Sequence, residues 1–278
     1  MTRVLSAAAL VAVLVFAVWF GPAWATLALG VLVSVIASSE LVALSAARTS
    51  LGVVSLAALA AGVVTAAFAE DGPIVTATAT HPSTLIAVLL AAVLLAGAVA
   101  LSSGPPAPGV LSTTALTFMA PLYVGLPIGV LVWVQTVYGR EALLLPIVIV
   151  AISDTAQYYT GRAIGRRKLA PVVSPAKTVE GAVGGLVAAA IVGALLAPRW
   201  LGVAVAPTRF ISPLLGGGVG VLLALAGMVG DLFESFLKRS AGVKDSASVI
   251  PGHGGVLDRV DSHLFAAPLY YLLLRYVM

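Results

Sequence analysis

Residues 211–239 read ISPLLGGGVGVLLALAGMVGDLFESFLKR, an apolar run that ends abruptly in carboxylates and then cations. Crossing a hydrocarbon core takes about 20 apolar residues in a helix, because no water is present there to satisfy a bare backbone. The first twenty residues of this stretch meet that requirement, and Gly216-Gly217-Gly218 within it suits close approach of a neighbouring helix. Similar runs recur on both sides. The expected spans are 4–20, 22–39, 46–69, 83–103, 110–138, 142–160, 181–197, 211–232 and 262–278, about nine helices in all. The fold class expected is therefore all-α, a polytopic integral membrane protein.

Composition agrees with this reading. Of 278 residues, 60% are hydrophobic and 9% charged, whereas soluble domains run nearer a quarter charged. Cysteine is absent, which excludes disulfides and thiolate metal sites. The first apolar run follows Met1-Thr2-Arg3, and Ala23-Trp24-Ala25 resembles a cleavage site. A second run follows at once, so a retained helical hairpin turning at Gly21-Pro22 is expected. The formal charge of +4 is unevenly placed: nine of fifteen basic residues lie in two segments, at Arg162, Arg166, Arg167, Lys168 and Lys177, and at Lys238, Arg239, Lys244 and Arg259. Short basic loops stay cytoplasmic, so segments 161–180 and 233–262 are both assigned to the cytoplasmic face, with the 70–81 loop outside. Arg140, Arg199 and Arg209 then fall outside, against the rule. Residues 1–139 carry few charges (Arg3, Glu40, Arg48, Glu70, Asp71) and read as transmembrane scaffold; residues 140–278 hold the polar chemistry.

Three polar clusters interrupt that second half. Each carboxylate at mid-bilayer costs about 2.5–3.5 kcal/mol, so each calls for a reason. The first is Ser153-Asp154-Thr155-Ala156-Gln157-Tyr158, running into Gly161-Arg162; Asp154 is either a site carboxylate or the partner of a nearby arginine. The second is Ser174-Pro175-Ala176-Lys177-Thr178-Val179-Glu180-Gly181. There Ser174, Lys177 and Thr178 offer a charge and donors to phosphate near a helix start, or the segment is simply that start, with Glu180 set against the helix dipole. The third runs from Gly230-Asp231 through Glu234 and Lys238-Arg239 to Lys244-Asp245, then Pro251-Gly252-His253-Gly254-Gly255 and Asp258-Arg259-Val260-Asp261. Asp231 and Glu234 are three apart, as are Asp258 and Asp261, and so share a helix face. Oxygen ligands with a single histidine nearby suit Mg²⁺ held partly by substrate phosphate better than Zn²⁺. The surrounding cations suit phosphates, and the backbone N–H groups of Gly252 to Gly255 suit an anion nest. Such a mixture fits metal-assisted phosphoryl or nucleotidyl transfer.

The run Ser235-x2-Lys238-Arg239-x4-Lys244-Asp245-x-Ala247-x2-Ile250-Pro251-x-His253-Gly254-Gly255-x2-Asp258-Arg259-x-Asp261 resembles the C-terminal motif of the phosphatidate cytidylyltransferases. Asp154-x3-Tyr158-x2-Gly161-Arg162 and Ser174-Pro175-x-Lys177-Thr178-x-Glu180-Gly181 resemble two further motifs of that family, in the same order; Gln157 and Ala176 depart from the usual alanine and glycine. The resemblance covers about 150–278 and rests on hydropathy alone before that.

It implies reaction of CTP with phosphatidate to give CDP-diacylglycerol and pyrophosphate, with Mg²⁺, or a pair of cations, as cofactor. The active site would face the cytoplasm from the inner membrane. Asp231 and Asp258 resemble the metal-binding acids, with Asp261 a third candidate. Lys244 and Arg259 join Asp231 and Asp258 as catalytic candidates. Ser174, Lys177, Thr178, Lys238, Arg239, His253, Gly254 and Gly255 are expected at substrate, and Asp154, Tyr158, Glu180, Glu234 and Asp245 form a second tier. His253 is expected to orient a group rather than act as a base, while His81 and His263 look incidental. The partners implied are CTP, phosphatidate and the bilayer, not nucleic acid, with homodimer formation left open. The competing readings are a cytidylyltransferase for another lipid phosphate and, from a different class, an ion-coupled transporter. The D-x2-D-G-x2-A-R pattern of CDP-alcohol phosphatidyltransferases is absent.

Overall fold

The computed structural model describes residues 9, 11–44, 51–71, 84–102, 109–202, 211–247 and 254–278. Helices fall on each apolar run: α1 (Val11–Phe20), α2 (Ala23–Ala43), α3 (Leu51–Asp71), α4 (Thr84–Ser102), α5 (Val110–Tyr138), α6 (Arg140–Ile164), α7 (Val179–Trp200), α8 (Pro213–Ser240) and α9 (Leu257–Tyr276). Among the described residues, five of these are long and apolar enough to cross a membrane: α2 from Trp24, α5, α6, α7 and α8. Helix α1 closes in a π turn at Phe16–Phe20, and the extended backbone of Gly21 and Pro22 separates it from α2. A second π turn, Pro121–Gly125, lies within α5, where the proline has no N–H to give to the helical ladder.

The chain forms two compact units, one of Met1–Trp133 with Ala241–Arg259, the other of Val134–Ser240 with Val260–Met278. In the first, the buried hydroxyls of Ser34 on α2 and Thr65 on α3 lie 2.7 Å apart, and Thr65 also donates to the Gly125 carbonyl at 3.0 Å. Helices without a hydrophobic drive toward each other are joined by such polar contacts and by small residues.

The second unit is built on α6, α7 and α8. The glycine patch works as expected at two of its three positions. A Cβ on Gly216 would come within 2.5 Å of the Gly193 carbonyl oxygen, and one on Gly217 within 3.3 Å of that of Ala190, whereas Gly218 faces open space. Helix α9 is tied to α6 by the fully buried Tyr270, whose hydroxyl donates to the Ala142 carbonyl at 2.9 Å.

Between α6 and α7 lies a feature the sequence reading did not foresee, an antiparallel hairpin of β1 (Lys168–Ala170) and β2 (Ser174–Thr178), with Lys168 opposite Thr178 and Ala170 opposite Ser174. Five residues bounded by a proline and a helix start offered no alternation long enough to mark a strand.

The contrast within the glycine patch makes a direct test. Gly216→Leu is expected to lower the melting temperature of the detergent-solubilised protein, at a cost of about 1–3 kcal/mol or more from overpacking. Gly218→Leu, pointing into open space, is expected to leave it unchanged.

Candidate active site

The second unit gathers its charge at one level of its helices. Lys177 on β2 reaches Asp231 on α8, with 2.5 Å between Nζ and Oδ2. Ser235, one turn along α8, places its hydroxyl 3.4 Å from Asp231 Oδ1. On α6, Asp154 accepts from Gln157 at 3.1 Å and from the Ser262 hydroxyl of α9 at 3.4 Å. No arginine pairs with Asp154 among the described residues; the cation it feels is Lys177, alongside the charges of Asp231 and Asp261. Gln157, the departure from the family pattern, is thus the side chain that steadies Asp154.

Helical spacing sets the next layer. Glu234 and Lys238, four apart on α8, form an ion pair of 3.2 Å and are both buried, Glu234 completely. Asp261 on α9 meets the Glu234 carboxyl and takes the Ser262 amide at 2.6 Å. Spacing of three and four residues places Asp231, Glu234 and Lys238 on one face of α8, while Phe236 between them is exposed. Lys238, expected at substrate phosphate, is engaged by Glu234 within the protein, and Arg239 is exposed.

The hairpin that carries Lys177 is fixed at its base. Thr178 caps α7, its hydroxyl oxygen accepting the Gly181 amide at 3.1 Å. Glu180 accepts the backbone amides of Arg166 at 2.9 Å and Arg167 at 3.1 Å. The segment is therefore a helix start, and its lysine faces the Asp231 carboxylate. Ser174 is half-buried where β2 begins. Tyr158 is exposed, accepts from Arg162 at 3.3 Å and stacks edge-on against Tyr159.

In the first unit, Asp258 opens α9. Its Oδ2 accepts the Ser246 amide at 3.0 Å, the Ser246 hydroxyl at 2.9 Å and the Gly255 amide at 2.8 Å. Gly254 has φ of +78°, a left-handed turn. The Gly255 amide expected to face an anion thus faces Asp258. Lys244, Asp245 and Arg259 are exposed, and His253 lies outside the described residues, as do Pro251 and Gly252.

All the carboxylates brought together are hard oxygen donors. Among the described residues no three Asp, Glu or His side chains converge tightly enough to cage a metal. Hard oxygen donors of this kind suit a divalent cation that takes one or two carboxylates and fills its other positions with phosphate and water.

These features define a helical membrane protein with a cluster of acids and bases on α6, β2, α8 and α9. The profile of the cytidylyltransferase family matches residues 1–277, and the chain belongs to that family. It is 40% identical over 158 residues to the phosphatidate cytidylyltransferase of Bacillus subtilis (strain 168), covering 56% of each protein. With the phosphatidate cytidylyltransferase of Staphylococcus aureus (strain COL) it is 42% identical over 161 residues, 58% of each. With the uncharacterized protein YnbB of Escherichia coli (strain K12) it is 39% identical over 138 residues, 50% of this chain and 44% of that one. The matches span about half the length of these relatives.

The Lys177–Asp231 pair is open to a double-mutant cycle. Lys177→Met and Asp231→Asn should each lower the melting temperature in detergent, and the double variant should lose less than their sum, by a coupling of about 1 kcal/mol.

Proposed function

We propose that this chain transfers the cytidylyl group of CTP to phosphatidate, releasing pyrophosphate and leaving CDP-diacylglycerol in the membrane. The observation that carries the reading is the Lys177–Asp231 pair, set beside Asp154 and Asp261 on residues that match the family's motifs. The named relatives support the same substrates.

The chemistry asks for charge management more than for a base. A phosphate monoester has a second pKa of about 6, so phosphatidate arrives largely dianionic. One of its oxygens forms a bond to the α-phosphorus of CTP as the bond from that phosphorus to the bridging α–β oxygen breaks, and the electron pair leaves with pyrophosphate. Two anions must meet, and negative charge grows on the leaving group. Lys177 answers both demands when it turns from Asp231 toward phosphate, and Arg239, Lys244 and Arg259 are exposed cations for the same purpose. A divalent cation supplies Lewis-acid neutralisation of the phosphate oxygens. Asp231, Asp258 and Asp261 are the carboxylates proposed, on the family motif they match, to hold Mg²⁺.

The proposed setting is the cytoplasmic membrane. Nine spans, residues 140–278 as catalytic region, residues 1–139 as scaffold and both basic segments on the inner face complete the reading, supported by the clustering of positive charge. The lipid acceptor stays in the bilayer, since each CH₂ drawn into water loses about 0.8 kcal/mol.

The test uses the purified full chain with labelled CTP and phosphatidate, scoring CDP-lipid and pyrophosphate. Equal release of both, abolished by a chelator and restored by Mg²⁺, is expected; full turnover in chelator would remove the cation. Asp258→Asn is expected to fall to background while remaining monodisperse in detergent, and near-normal activity would take Asp258 out of the site. Preference for another lipid phosphate in competition would redirect the acceptor.

A further inference from the structure

Helix α2 is apolar except for a few hydroxyls and one carboxylate, Glu40, which is 4% exposed. Its partners are not local. Oε1 accepts the Val256 amide at 2.9 Å, while Oε2 accepts the Leu257 amide at 2.8 Å and the Ser246 hydroxyl at 3.0 Å. These donors sit 206, 216 and 217 residues along the chain, all in the segment that presents Asp258. A buried carboxylate survives only with such partners, because charge without them is costly in low dielectric.

The contacts are specific in shape and in donor count. The Ser246 hydroxyl touches Glu40 on one side and Asp258 on the other, at 3.0 and 2.9 Å. It has one hydrogen, so it serves one carboxylate at a time. A Cβ on Gly255 would overlap both the Ser246 hydroxyl and the Glu40 carboxylate, so any larger residue there would displace them. The amide of Val256, just before α9, and that of Leu257, its first residue, have no partner within the helix and are taken by a side chain from a different helix.

We infer that Glu40 is a positioning residue: through the Val256 and Leu257 amides and the Ser246 hydroxyl, it sets the start of α9 and thereby the orientation of the Asp258 carboxylate. The inference rests on the proposed function for its effect on turnover, but its structural half stands apart from it.

Glu40→Gln is the discriminating variant. Both backbone amides need an acceptor and glutamine offers one oxygen, so one amide faces an NH₂ group of nearly equal size. Hydrogen exchange in the peptide covering 254–259 should quicken markedly. Turnover should fall about 10- to 100-fold, as for other groups that orient a metal-binding carboxylate, with KM for CTP nearly unchanged and the melting temperature somewhat lowered by the one buried amide left without an acceptor. A general loss of packing would instead quicken exchange throughout the chain, and that pattern, or unchanged exchange and turnover, overturns the inference. If Glu40→Gln does not yield folded protein, Ser246→Ala carries the test: faster exchange at 254–259 with reduced kcat supports it, and wild-type values of both overturn it. If the wild-type chain makes no CDP-lipid, the proposed function fails, and the exchange result still decides whether Glu40 sets the helix start.

Discussion

A charge inside an apolar bundle must find its counterpart within the protein, and that requirement organises this molecule. Lys177 has Asp231, Lys238 has Glu234, and Glu40 has three donors from one short segment. Each pairing crosses between elements or ties one helical turn to another. In water these contacts would contribute little. Beside lipid they decide which helices adjoin, because leaving either partner alone is the costly alternative. The small-residue seam between α7 and α8 then lets the backbones close around the polar level.

Much of this was legible in the residues. The apolar runs mark where helices form, five of them long and apolar enough to cross a membrane among the described residues, since hydrophobic length is the dominant constraint on a chain in a bilayer. The break at Gly21-Pro22 and the packing role of Gly216 follow from residue type alone. Spacing of three grouped Asp231 with Glu234, and both lie on the helix α8.

What was not legible has physical reasons. The β1–β2 hairpin is held by the Glu180 carboxylate on the Arg166 and Arg167 amides, and backbone amides leave no trace in sequence. Glu40 was grouped with the scaffold because its neighbours along α2 are apolar, and its partners lie some two hundred residues away. A signal was present nonetheless: an isolated carboxylate in a hydrophobic helix is itself a reason to look for a distant partner. Of the run Gly252 to Gly255, read as an anion nest, Gly254 makes a left-handed turn and Gly255 gives its amide to Asp258, contacts that residue type alone does not specify.

The hairpin has a practical consequence. Its tip, residues 171–173, joins two paired strands, and Val172 there is 87% exposed while the base is clamped by Glu180 and capped by Thr178. A small soluble domain grafted at this tip with matching strand ends would inherit the hairpin's direction instead of swinging on a tether. For a protein of 28.0 kDa that is mostly enclosed by detergent, such a graft would give electron cryomicroscopy a rigid mark for particle alignment.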